Sequence, residues 1–397
     1  MESLLEISLS RIERAPVSFT RYLYANIDWR DRLIGILGAR GTGKTTLLLQ
    51  YGRLQLKNAK TLYLSLDGLF FQQHTLSAVA DYFYKRGYRH LLLDEVHKYP
   101  QWSLEVKNLY DQYPDLQLIF TGSSVVELFQ GQADISRRAV FYTLHGLSFR
   151  EFLALDSGLE LPAYPLQQLL EQHVPVSRSL LSQLASPLAH FARYLSVGCY
   201  PYYRENETNY HHRLRNTVNQ VLETDIPAVA NLSYASVLKL KSLLQVLAES
   251  VPFKPNISWI SGQVGVKRET VLHYLTLLER AGILRLLPAA AAGVAGMNKP
   301  EKIYLDNTNL VAALGGGRAD KGNLRETFFY NQVGALHRVG YSGVADFEVD
   351  QQYLFEVGGK GKSRRQLAQH PAGYIVADDL ETGLGQKVPL WLFGFLY

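Results

Sequence analysis

The aliphatic run Leu33-Ile34-Gly35-Ile36-Leu37 passes directly into Gly38-Ala39-Arg40-Gly41-Thr42-Gly43-Lys44-Thr45, and Thr46-Leu47-Leu48-Leu49-Gln50 follows at once. A short apolar strand, a glycine-rich loop and a helix in direct succession constrain the chain strongly, because this order belongs to a parallel sheet that carries the loop at its strand ends. Glycines let successive backbone N–H groups turn inward onto phosphate oxygens, and the helix N-terminus adds its positive dipole end. In this Walker A pattern Gly38, Ala39, Arg40, Gly41, Thr42, Gly43, Lys44, Thr45 and Thr46 are expected to hold a nucleotide, ATP. Lys44 is expected to reach the β- and γ-phosphates and Thr45 to ligate Mg²⁺.

A second run, His90-Leu91-Leu92-Leu93-Asp94-Glu95, ends in two carboxylates. A parallel strand would deliver them to the C-terminal edge of the sheet, where ligands bind. In this Walker B reading Asp94 belongs to the Mg²⁺ shell and Glu95 polarises the attacking water. Solvated acids at a strand end would look the same in isolation; their order after the glycine loop favours the catalytic reading. Thr61–Leu66 and Leu116–Thr121 read as further strands, with a helix over Trp102–Tyr113, so a doubly wound parallel sheet is expected. Gly122-Ser123-Ser124 then offers a hydroxyl near the γ-phosphate. Arg137-Arg138 precedes one more strand, Ala139–Thr143; an arginine here either stabilises transition-state charge, in cis or from a neighbouring copy in a homo-oligomer, or is a solvated surface residue.

Gly38–Thr46, Leu91-Leu92-Leu93-Asp94-Glu95-Val96-His97-Lys98, Thr121-Gly122-Ser123-Ser124 and Leu147-Ser148-Phe149-Arg150-Glu151-Phe152 together resemble the archaeal and bacterial AAA-type ATPases that carry a C-terminal domain of unknown function. Tyr194-Leu195, Gly198, Tyr200-Pro201 and Asp225-Ile226-Pro227 extend the resemblance over most of the chain. It implies an α/β protein: a P-loop NTPase core of AAA type with a parallel sheet, then a helical lid, a winged helix and a small α/β restriction-endonuclease-like domain. It also implies Ser123 as the sensor polar residue and Arg138 as the arginine following the core. The family usually has Gln where this chain has His97.

At 397 residues the chain exceeds one ordinary core, and the expected boundaries are 1–152, 153–250, 251–315 and 316–397. Forty-one basic against 36 acidic residues give a net charge of +5, a modest lean towards anionic partners such as nucleic acid. Cys199 is the only cysteine, which excludes an intramolecular disulfide and a cysteine-based zinc site and suits a reducing cytoplasm. The acidic N-terminal stretch does not fit a signal peptide, and no apolar run is long enough to span a membrane.

Residues 153–250 are leucine-rich at helical spacing, with Leu166, Leu169 and Leu170 in one set and Leu240, Leu243, Leu244 and Leu247 in another, and Phe191, Tyr194 and Tyr200 are assigned to core. The stretch Leu286–Met297, rich in Ala and Gly, reads as a loop. Ser261–Val266 makes a turn between two helices; Val271, Tyr274, Leu275 and Leu278 form one apolar face, and Ile283–Leu286 and Lys302–Leu305 supply two wing strands. Such a winged helix would present Lys267, Arg268, Thr270 and His273 to a major groove, DNA before RNA, or would serve only as a packing module. Near the C-terminus Glu326, Asp346 and Glu356 resemble the acidic positions of the restriction-endonuclease-like superfamily. That superfamily has a lysine two residues after the last acid; Gly358 stands there, and the nearest lysine is Lys360. A nuclease-like fold with little or no cleavage is expected. The whole sequence then reads as a Mg²⁺-dependent ATPase whose cycle moves a nucleic-acid-binding module, with a slow ATP-dependent switch read by a protein partner, or an ATP-regulated nuclease, as alternatives.

Overall fold

The computed structural model describes residues 1–57, 59–123, 135–249, 254–289, 299–315 and 320–397. They form two compact units: Met1–His145 with Ala228–Ala230, and Gly146–Pro227 with Asn231–Tyr397. The helical, helix–turn–helix and C-terminal regions expected as separate parts fall in the second unit, apart from Ala228–Ala230. Ser124 and most of the Leu286–Met297 stretch lie outside the described residues.

The first unit is built on β1 (Leu33–Gly38), β2 (Thr61–Ser65), β3 (His90–Asp94), β4 (Gln117–Ser123) and β5 (Val140–Thr143), in the order β2-β3-β4-β1-β5. Every pairing is parallel. A parallel sheet needs cover on both faces, and the two-residue alternation of side chains supplies it. Leu33, Leu37, Leu91 and Leu93 enter one core, while Ile34, Ile36, Leu92 and Ile119 enter the other. Each contributes about 1.5–3 kcal/mol on full burial, so these apolar layers, more than the polar site, hold the sheet. The helix Lys44–Leu54 buries Leu47 and Leu48 in the second core. Because all strands run one way, Gly38, Asp94 and Ser123 arrive at the same edge.

The second unit begins with helices Phe149–Ser157, Leu166–Leu181, Pro187–Val197, Tyr210–Gln220 and Tyr234–Ala248. The Ser148–Glu151 stretch of the family pattern is a capping box: Ser148 Oγ accepts from the Glu151 amide, and Glu151 Oε2 accepts from the Ser148 amide, both at 3.1 Å. Phe149 and Phe152, which flank that glutamate, are wholly buried, so this motif is architectural. The leucine sets at 166–170 and 240–247 are buried, as are Phe191, Tyr194 and Tyr200. Helices Ile257–Val264 and Arg268–Arg280 then precede β6 (Leu284–Leu287) and β7 (Lys302–Leu305), which pair antiparallel. The elements thus come in the order expected. Helix Lys321–Val333 leads into a mixed sheet of β8 (Val339–Gly340), β9 (Phe347–Val349), β10 (Tyr353–Gly358), β11 (Gly373–Ala377) and β12 (Lys387–Pro389), ordered β12-β11-β10-β9-β8. Among the described residues no helix is long and apolar enough to cross a membrane.

Candidate functional site

The loop after β1 is shaped by its glycines. Gly41 and Gly43 take φ of 85° and 97°, a region glycine enters without the steric cost other residues meet. At Gly38 the limit is space: a Cβ there would stand 2.4 Å from the Leu144 carbonyl oxygen. Gly43 precedes the first turn of helix Lys44–Leu54, and Thr42 Oγ1 closes the loop on Ala39 O at 2.9 Å. Lys44 is only 6% exposed, and its Nζ donates to the carbonyls of Gly38 and Ala39, each at 3.0 Å. Arg40, Gly41, Gly43, Thr45 and Thr46 keep partial exposure.

Asp94 lies across from Thr45, as the sequence led one to expect, and is 3% exposed. A carboxylate so buried must be hydrogen-bonded. Thr45 Oγ1 lies 3.1 and 2.9 Å from its two oxygens, Tyr63 OH donates to Oδ2 at 2.8 Å, and Thr121 Oγ1 donates to Oδ1. Burial, and then the charge of Asp94, push the Tyr63 phenol well above its ordinary range, so it stays a donor. Tyr63 is a member of this cluster that motif reading passed over, and Thr121, the first residue of the Thr121–Ser124 pattern, takes a part in it that the pattern did not assign. A threonine hydroxyl and a carboxylate side by side are hard oxygen donors of the kind Mg²⁺ accepts.

Glu95 follows in the left-handed region, φ 55°, an uncommon conformation for a residue with a side chain. Its amide donates to Thr121 Oγ1 at 3.1 Å. His97 Nε2 faces Glu95 Oε2 at 3.4 Å, and His97 Nδ1 accepts from the Ser123 amide at 3.4 Å. An Nδ1 that accepts leaves the ring proton on Nε2, towards the carboxylate. His97 therefore links the glutamate to the end of β4, and Ser123 pairs in register with Gly38 at the start of the loop.

Arg138 does not share this edge. Its guanidinium makes a two-point ion pair with Asp111, Nε–Oδ1 2.8 Å and Nη2–Oδ2 3.0 Å. It precedes β5, where Val140 pairs with Ile34 at the opposite end of β1 from Gly38. Four residues of strand, about 13 Å, separate that level from the loop. The reading of Arg138 as an arginine acting on its own chain's loop is corrected accordingly.

In the second unit Lys267, Arg268 and His273 are exposed and Thr270 half-exposed, while Val271, Tyr274, Leu275 and Leu278 are buried. Lys267 sits at the N-cap of helix Arg268–Arg280.

Glu326, Asp346 and Glu356 come together at the C-terminal sheet, and two lysines enter among them. Lys302 Nζ, from β7, lies 3.1 Å from Glu326 and 3.5 Å from Asp346. Tyr304 OH donates to Glu326 at 2.6 Å, and Asp346 Oδ2 accepts from the Val357 amide at 2.9 Å. Burial, then the charge of Asp346, raises the Glu326 carboxyl. Lys360 is not the lysine of this cluster: Lys362 Nζ pairs with Glu356 at 2.6 Å. Its stem crosses Gly358, where a Cβ would meet Lys362 Cδ at 2.9 Å. Among the described residues no group of three or more His, Cys, Asp and Glu side chains is disposed to hold a metal ion.

The parallel sheet carries a glycine loop and the Asp94–Glu95 pair at one edge, and residues 30–153, which hold them, match the family model described as an AAA domain. Residues 188–321 match a second model, a domain of unknown function (DUF8612). The chain is 25% identical over 313 residues to the uncharacterized protein MJ1637 of Methanocaldococcus jannaschii, covering 72% of this chain and 66% of that protein, just under two thirds of its length. Looser likenesses to solved structures include the Aeropyrum pernix Orc1 protein in complex with DNA, at 15% identity, 78% and 92% coverage and TM-score 0.30. Another is AMPPCP-bound DnaA from Aquifex aeolicus, at 17% identity, 64% and 84% coverage and TM-score 0.25.

Proposed function

We propose that the first unit binds ATP with Mg²⁺ and hydrolyses it, and that the second unit applies this cycle to nucleic acid, DNA before RNA, through a winged helix formed by Ile257–Leu305. The observation that carries the reading is the convergence of Lys44, Thr45 and Asp94 at one strand edge, with Thr45 Oγ1 2.9 Å from the carboxylate. Mg²⁺, when bound, would neutralise phosphate charge and orient the leaving oxygens. Lys44 supplies a cation at the loop mouth, the loop amides and the helix N-terminus attract phosphate oxygens, and Glu95 accepts the proton of the attacking water. Ser123 fits the place of a polar residue beside the terminal phosphate. A slow switch read by a protein partner is a second reading, favoured by the approach of His97 Nε2 to within 3.4 Å of Glu95 Oε2. The C-terminal cluster receives a structural role, because each of its carboxylates is already ion-paired, Glu326 and Asp346 with Lys302 and Glu356 with Lys362. Steady-state ATP hydrolysis with and without single- and double-stranded DNA and RNA tests the choice: stimulation supports the first reading, slow unstimulated turnover the second, and absence of ATP binding refutes both.

A further inference from the structure

Arg21 lies outside every motif, yet it is 5% exposed and packed against the loop. Its Nη1 donates to the carbonyl of Thr42, and its Nη2 donates to the carbonyl of His145 at 2.8 Å. The stretch that carries it is pinned from behind by the helix that follows the loop: Gln50 Nε2 donates to Pro16 O and Phe19 O, both at 2.7 Å, and Arg53 Nη1 donates to Ala15 O. The guanidinium is therefore held in place before it holds anything else.

The peptide unit is planar and trans, so the carbonyl of one residue and the N–H of the next point in opposite directions. A guanidinium that fixes Thr42 O on the outside of the loop thereby turns the Gly43 N–H towards its inside, where the left-handed φ of 97° permits it. Two parallel donors from a rigid fork fix such an orientation better than one ammonium does. The second carbonyl, His145 O, follows Leu144, whose oxygen lies against Gly38, so the same side chain braces both walls of the loop. We propose that Arg21 is a positioning residue for the phosphate-binding loop, aiming the Gly43 amide and fixing the loop against the segment after β5. This rests on the reading of the site as an ATP site.

The test uses the full chain with Arg21→Lys, which keeps charge but loses the fork, and Arg21→Gln, which keeps one donor group. The expected result is a KM for ATP raised by about 10–100-fold, the range for a lost hydrogen bond to a charged group, with kcat within about threefold and an unchanged melting temperature for Arg21→Lys. Backbone hydrogen exchange of the peptide spanning 38–45, measured without nucleotide, should quicken by about tenfold in both variants while peptides from β3 and β4 keep their rates. Unchanged loop exchange in the folded variants, or a fall in kcat at unchanged KM, would overturn the proposal. Loop exchange that quickens in a protein whose wild type binds no ATP would instead refute the ATP site and leave the positioning role standing.

Discussion

Gly38→Ala offers a direct measure of how tightly the loop is walled in. A methyl group there would lie 2.4 Å from Leu144 O and 3.2 Å from Thr42 Oγ1. An ordinary carbon–oxygen contact is about 3.4 Å, so the Leu144 carbonyl must retreat by about 1 Å. β1 cannot yield in its place, because it is registered against β4 on one side and β5 on the other. The strain falls on the segment leaving β5, where the Leu144 amide donates to Leu37 O at 2.7 Å. Overpacking of this kind costs about 1–3 kcal/mol, and for a unit of this size each kcal/mol lowers the melting temperature by about 2–4 °C. A fall of about 2–12 °C is expected for the first unit, read by calorimetry of the full chain. Displacement of about 1 Å at a binding loop also weakens productive binding by up to about 100-fold, which a fluorescent ATP titration reads. A variant that melts within about 1 °C of wild type and binds ATP unchanged would refute the reasoning from the Leu144 wall.

Glu95→Gln should retain ATP yet slow hydrolysis by about 10²–10⁴-fold; loss of binding instead would make Glu95 a structural residue. Replacing both Lys267 and Arg268 with Ala should weaken nucleic-acid binding and lower the salt-dependence slope by about 2, at about 0.9 per phosphate contact, whereas an unchanged slope would move the contact off this helix. Lys302 has an ordinary value of 10.5; burial pulls it down, but the charges of Glu326 and Asp346 outweigh burial and hold it higher. A raised ammonium contributes stability that is complete below 10.5 and is lost as pH climbs through the folded-state value. Unfolding free energy should therefore fall more steeply with alkaline pH in wild type than in Lys302→Met, and equal slopes would show the cluster to be uncoupled from folding.

The strand–loop–helix and the Asp94–Glu95 edge were legible in the sequence because their chemistry demands neighbours in the chain: glycines beside a lysine, acids at a strand end. Tyr63 and Arg21 were not, nor was the contact of Thr121 with Asp94, since each meets the site from a distant segment and a tyrosine in a strand or an arginine before a short helix carries no signature. Lys362 escaped for a different reason. Counting along an ideal strand favours Lys360, but the chain turns after Gly358 and the later lysine reaches back over it. The placement of Arg138 did have a signal: an arginine that precedes a parallel strand stands at the edge opposite a loop that follows one. The helical region was legible through its leucines, and Ser148–Glu151 carried a capping box as well as a family pattern.

Lys302 sits on β7, in the segment matched as a domain of unknown function, while its two carboxylate partners, Glu326 and Asp346, lie beyond residue 321, where that match ends. Arg285 of β6 likewise faces Tyr330, and Tyr330 OH donates to Leu286 O at 2.9 Å. A recombinant fragment cut at the match boundary would carry a half-buried ammonium stripped of its counter-ions and a paired-strand face stripped of its cover. Such a fragment is set to aggregate, and the smallest piece of this half that can be handled alone must run on through the last sheet.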